Sequence, residues 1–195
     1  MIKLIDLLEN KILVPRRSKE ERSKNYLIAT QKKIQQYIKD GSKGDLNLTN
    51  TPITSLPQGL TVRGYLNLNN TPITSLPQGL TVGGDLHLYK TPITTLPPGL
   101  TVGGYLNVYG TKITTLPPGL TVGGYLDLRN TNITSLPQGL TVGDDLYLSN
   151  TPITTLPQDL TVVGDLYLKN TPISKKYNEE QIKQMVPGVK GNIYI

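Results

Sequence analysis

Seven of the eleven tyrosines in this chain fall at three positions of a motif that recurs every twenty residues. The first position reads Asp45, Tyr65, Asp85, Tyr105, Tyr125, Asp145 and Asp165. The second reads Asn47, Asn67, His87, Asn107, Asp127, Tyr147 and Tyr167, and the third reads Thr49, Asn69, Tyr89, Tyr109, Arg129, Ser149 and Lys169. The chemistry these residue types favour is recognition. Tyrosine offers a large amphipathic contact area at small entropic cost and is enriched at protein interfaces. The candidate partner-binding set is therefore Tyr65, His87, Tyr89, Tyr105, Tyr109, Tyr125, Arg129, Tyr147 and Tyr167. On strands about 4.8 Å apart, Tyr105/Tyr125, Tyr89/Tyr109 and Tyr147/Tyr167 become stacked neighbours. Such a ladder could also serve only to stabilise a sheet. Binding is favoured because these positions vary while their apolar neighbours hardly do.

Catalytic chemistry has less to work with. No cysteine is present, which excludes thiol catalysis, disulfides and zinc–thiolate sites. His87 is the single histidine, and no second imidazole stands near it to build a metal site. Gly83-Gly84 and its copies lack the lysine and following helix of a phosphate cradle, so they read as turns. Asp144, Asp145 and Asp165 form a small acidic spot that reads as solvated or partner-facing. No nucleophile, base and orienting group assemble at a telling spacing, so neither an enzyme nor a cofactor is expected. Asn-x-Thr sequons at Asn47, Asn69 and Asn132 follow from composition and lack a secretory context.

The elements that must position the tyrosines follow from the same repeat. Aligned copies start at Gly44, Gly64, Gly84, Gly104, Gly124, Asp144 and Gly164, and the seventh departs after Ile173. A fixed period of this length predicts a stacked solenoid in which each coil contacts only its neighbours. The alternating Gly-x-Leu-x-Leu stretch predicts a short strand with Leu46 and Leu48 inward and Asp45, Asn47 and Thr49 outward. Val62, Leu66, Leu68, Ile73, Leu76 and Leu80 form the inward set of one coil and recur twenty residues on, with Val108 as a swap. Recurring prolines such as Pro57 rule out a helix interior on the opposite side, which is expected to be extended or polyproline-like. The threonine and asparagine ladders are expected to bond backbone between coils.

Residues 1–43 read as a helical N-terminal cap. Ile2, Ile5, Leu8 and Ile12 have helical spacing up to Val14-Pro15. Ser18 and Glu21 then form a capping box for a second helix with Tyr26, Leu27, Ile34, Tyr37 and Ile38 on its apolar face, ended by Asp40-Gly41. Residues 44–173 are the seven repeats. Residues 174–195 read as a C-terminal cap, with a short helix from Asn178 to Val186 and a last strand, Gly191 to Ile195, matching Gly164 to Leu168.

Charge is uneven. The net +6 resides in residues 1–43, with 11 basic and 5 acidic side chains, while residues 44–173 carry 5 and 7 and residues 174–195 carry 4 and 2. A nucleic-acid reader would carry its basic stripe along the repeated surface, and here that surface is close to neutral. The N-terminus is a poor signal peptide, since Asp6 and Glu9 interrupt its apolar stretch, and no apolar run reaches membrane-spanning length. With no cysteine, a cytoplasmic, reducing compartment is expected.

Leu-x-Leu-x-x-Thr-x-Ile-x-x-Leu-Pro, carried by Leu66, Leu68, Ile73, Leu76, Pro77 and their counterparts, resembles the short bacterial leucine-rich repeats of the LPX type. Threonine (Thr51, Thr71 and onward) replaces the usual ladder asparagine, and the return segment is closest to repeat proteins of bacteriophages and some bacteria. The resemblance implies a leucine-rich repeat solenoid with a parallel β-sheet on its concave face. It implies a phage or bacterial effector that sequesters or inhibits a host protein, with a defence component as one candidate. A ubiquitin-ligase activity found in some LPX effectors is not carried over, because its catalytic cysteine is missing. A pentapeptide-type β-helix shares the period, but the five-residue subperiod is poor here. Two other functions stay open. One is a nucleic-acid binder using the basic cap (Arg16, Arg17, Lys19, Arg22, Lys24, Lys32, Lys33), and the other is a purely structural or surface repeat. The free edge of Ile193-Tyr194-Ile195 leaves two outcomes open: a two-fold homodimer through the C-terminal strand, with both concave faces free, or a monomer whose short edge is blunted by Lys190.

Overall fold

The computed structural model describes residues 18–195. The first cap helix, with Arg16 and Arg17, lies outside these residues. The described residues form a parallel β-solenoid with a helix at its N-terminal end. The Leu-x-Leu segments pair into an eight-stranded parallel sheet that runs from Leu46–Asn47, through each coil in order, to Leu166–Tyr167 and finally Ile193–Tyr194. The register is the one the repeat dictates: Leu46 faces Leu66, and Leu106 faces Leu126. Every inward leucine therefore stacks on its copy, and Leu66, Leu68, Leu106 and Leu126 are wholly buried. Each fully buried leucine contributes roughly 1.5–3 kcal/mol of transfer free energy.

The opposite side departs from expectation in one respect. Residues 51–57 carry neither helix nor strand, but the return segments Thr61–Val62 to Thr161–Val162 form a second, six-stranded parallel sheet. Val62 and its copies face the core while Thr61 faces outward, so the coil is clamped on two sides.

The threonine ladder also differs from expectation. Thr51, Thr71 and their copies are buried, and each hydroxyl donates to a carbonyl three residues back in its own coil, as Thr71 does to Leu68 at 2.7 Å. The ladder shapes a turn within the coil and does not join coils. Just before each threonine the chain turns through left-handed backbone, at Asn50, Asn70, Asn130, Asn150 and Asn170. Asparagine and glycine tolerate this region, whereas a longer side chain pays about 1–2 kcal/mol. Lys90 occupies it at φ 56°. Replacing Lys90 with Gly is expected to raise stability by about 0.5–1 kcal/mol, after allowing for glycine's greater unfolded-state entropy. A urea midpoint that falls or stays put would contradict this.

Helix α1, Lys19–Lys39, starts with the anticipated capping box: Glu21 N donates to Ser18 Oγ at 3.0 Å and Ser18 N to Glu21 Oε2 at 2.9 Å. Its buried face is narrower than the sequence pattern implies. Thr30 and Ile34 are buried and Tyr37 packs against the core, but Tyr26 (49 % exposed) and Ile38 (37 %) face outward. Tyr37 secures the helix to the first coil, its hydroxyl lying 2.9 Å from the carbonyls of both Ser42 and Gly44. Lys33 Nζ donates to the Asn47 carbonyl, which commits one of the cap's basic residues to a structural bond.

At the other end, α2 (Pro172–Lys176), which the sequence pattern does not announce, leads to α3 (Glu179–Met185). Asn178 and Gln181 cap α3 reciprocally, and Ile182 and Val186 seal the last coil. Lys183 Nζ donates to the carbonyls of Val189 (2.8 Å) and Gly191 (2.6 Å), holding the loop that delivers the final strand. That strand pairs as the alignment requires, Leu166 with Ile193 and Tyr167 with Tyr194. Among the described residues no helix is long and apolar enough to cross a membrane.

Candidate binding face

All nine candidate residues lie on the outward side of the eight-stranded sheet, half-buried against one another. Alternation along each strand puts their neighbours Leu66, Leu86, Leu106, Leu126, Leu146 and Leu166 into the core and so leaves these side chains outside. Parallel in-register pairing then brings successive coils into side-chain contact.

Two of the three anticipated pairs are stacked. The rings of Tyr105 and Tyr125 lie 4.4 Å apart at 7°, and those of Tyr147 and Tyr167 lie 4.6 Å apart at 14°. Tyr89 and Tyr109 are tilted at 49° with centroids 5.6 Å apart. The structure joins the two stacked pairs into one run. Tyr65 meets His87 edge to face, His87 meets Tyr105 at 4.9 Å, and Tyr125 meets Tyr147 at 5.9 Å. Tyr194 extends the run, stacking on Tyr167 at 4.8 Å. It lies beyond the nine residues of the candidate set, although it occupies the second position of the final strand, a place legible from the alignment. Offset and edge-to-face aromatic pairs each contribute about 0.5–1.5 kcal/mol beyond their buried area.

Arg129 is the hinge between columns. Its Nε and Nη2 donate to both oxygens of Asp127, at 2.9 and 2.6 Å. Its guanidinium lies 5.5 Å from the Tyr109 ring centroid and 5.0 Å from that of Tyr147. Asp127 is only 2 % exposed. The carboxylate beside Arg129 raises the guanidinium's pKa. The sequence does not single out Asp127, because its position is asparagine in three other coils. There the side chain does the related job of accepting from the backbone N–H two residues on, as Asn107 does from Tyr109 at 3.0 Å.

The first-position aspartates are not a simple acidic spot. Oδ1 of Asp45, Asp85, Asp145 and Asp165 accepts the backbone N–H of Tyr65, Tyr105, Asp165 and Asn192 in the next coil, at 2.7–3.0 Å. They are clips between coils. Their other oxygens face the tyrosines: Tyr147 donates to Asp145 Oδ2 at 2.8 Å, and Tyr167 lies 3.5 Å from Asp165 Oδ2. His87 is a ring in the run, with Nε2 3.0 Å from the Tyr105 hydroxyl. Burial lowers the His87 pKa against the opposing pull of Asp85. Among the described residues no group of histidine, aspartate and glutamate converges on a metal position. Of the basic cap residues, Lys19, Arg22 and Lys24 project into solvent from the first turns of α1.

Burial, then the Asp85 charge and Tyr125, push the Tyr105 pKa up to about 12, and burial followed by the Asp145 bond raises that of Tyr147. A phenol whose folded pKa exceeds its ordinary 10.0 stabilises the fold fully below that value, and the contribution is lost as pH rises through about 12. The ultraviolet tyrosinate titration is therefore expected to show a late-ionising fraction that reaches completion only with alkaline unfolding. Tyr105→Phe should remove part of that fraction, and an unchanged titration would refute the assignment.

No protein-family model matches the chain, and no curated protein matches it in sequence.

Proposed function

We propose that the chain is a non-enzymatic, protein-binding leucine-rich repeat protein, that the eight-stranded sheet lines its concave face, and that this face is the interface. The observation that carries this reading is the continuous aromatic run from Tyr65 to Tyr194. It is fixed by stacking and by the Arg129–Asp127 pair, and each of its rings keeps part of its surface exposed. Side chains held rigid in advance lose little entropy on association, which is what a recognition surface needs. The resemblance to phage and bacterial repeats supports a cytoplasmic effector that sequesters or inhibits a host protein.

Affinity capture from lysate of the source organism's host, with the full chain as bait, tests the reading. Replacing Tyr105 and Tyr109 by Ala is expected to weaken capture by at least about 2 kcal/mol, or more than tenfold, while the fold survives. Equal loss from changing Gln78 and Gln138, exposed on the turns away from the sheet, would exclude the face as the interface.

A further inference from the structure

Some of the donors and ring faces of this surface are used within it. The hydroxyls of Tyr147 and Tyr167 point to Asp145 and Asp165, and that of Tyr105 shares a hydrogen bond with His87. Tyr167 has a ring stacked on each side, Tyr147 and Tyr194. The Arg129 guanidinium occupies the space over Tyr147 and Tyr109. The face keeps acceptor capacity in its phenolic lone pairs and in the remaining lone pairs of the clip aspartates' Oδ2 atoms, since an ionised carboxylate is acceptor-only. Charge agrees. With Asp127 neutralised by Arg129, four carboxylates (Asp45, Asp85, Asp145 and Asp165) stand against Lys169 at the three outward positions.

Such a face disfavours nucleic acid, whose phosphates are acceptors of the same charge and whose bases need open rings to stack on. A guanidinium is the complement: it is planar, carries five donors and no acceptor, and pairs with carboxylates two bonds at a time. Arg129 already shows how one seats here, bidentate to a carboxylate with its plane among tyrosine rings.

Resting on the reading of this face as a protein interface, we propose that the partner segment it receives is arginine-rich, with guanidinium groups set against the outward oxygens of Asp145 and Asp165 and the neighbouring phenols. The test is fluorescence anisotropy of the full chain with labelled Arg-Ser, Glu-Ser and Tyr-Ser repeat peptides and an oligothymidylate of similar length. The Arg-Ser peptide should bind, and more weakly as salt rises. Asp145→Asn with Asp165→Asn keeps Oδ1 for the inter-coil bond but turns Oδ2 into a donor. That double variant should lose at least about tenfold in affinity while its circular-dichroism spectrum stays that of the folded parent. Asp159→Asn, which removes one charge from an exposed turn away from the sheet, should cost little. Tighter binding of the Tyr-Ser peptide, abolished by Tyr105→Ala with Tyr109→Ala, would overturn the arginine assignment and leave the protein interface standing. Preference for Glu-Ser or oligothymidylate would overturn it, as would equal loss in Asp159→Asn. Binding of none of the probes would also overturn it, and the lysate capture then judges the interface separately.

Discussion

A fragment beginning at Ser42 is expected to aggregate or to melt without cooperativity. Helix α1 presents Ile34 to the first coil, beside Ile53 and Leu56, and its Tyr37 and Lys33 bond the backbone at Ser42, Gly44 and Asn47. Removing residues 1–41 leaves Leu46, Leu48 and Ile53 at an open end with no coil beneath them. Each such side chain returned to water costs roughly 1.5–3 kcal/mol, and repeat arrays depend on their caps for solubility. Size-exclusion chromatography and thermal unfolding of the 42–195 fragment decide the matter. A monodisperse, cooperatively folded fragment would show that α1 is an appended module and not a cap.

Leu106→Ala is expected to destabilise the chain by about 3–5 kcal/mol. Leu106 is wholly buried mid-array, between Leu86 and Leu126, and close stacking on both sides leaves little room for collapse around the cavity. Because each coil contacts only its neighbours, the damage should also uncouple the two halves and broaden the transition. The chain itself calibrates the effect: Val108 stands where other coils carry leucine and is equally buried, so losing one methylene is tolerated there. A denaturant midpoint within error of the parent would mean that the coils relax far more than their packing implies.

Much of this architecture is legible in the repeat itself. A strict period forces each residue to lie over its copy, so the inward set, the parallel register and the pairing of Ile193 with Leu166 follow from alignment alone. Capping boxes at Ser18 and Asn178 are equally readable, because they depend only on residues three apart. The six-stranded sheet is not legible. Its strands lie in the Leu-Thr-Val return, which lacks the longer Gly-x-Leu-x-Leu alternation of the other sheet, and they pair because neighbouring coils lie within hydrogen-bonding distance. Nor is the orientation of α1, since a helix with apolar residues on more than one side is oriented by what it packs against. Here that is Thr30 and Ile34 inward, with Tyr26 and Ile38 turned out.

For the candidate face, sequence determined which columns the tyrosines occupy and which of them adjoin, since column and coil are set by the period. Tertiary structure alone decided the tilt of Tyr89 against Tyr109, the linking of separate pairs through His87 and Tyr125, and the seating of Arg129 on Asp127 among the rings. It also turned the aspartates from a surface patch into clips that hold the next coil's backbone. The reason is physical: backbone periodicity places Cα atoms, but ring planes, rotamers and shared protons depend on contacts among three or more coils at once.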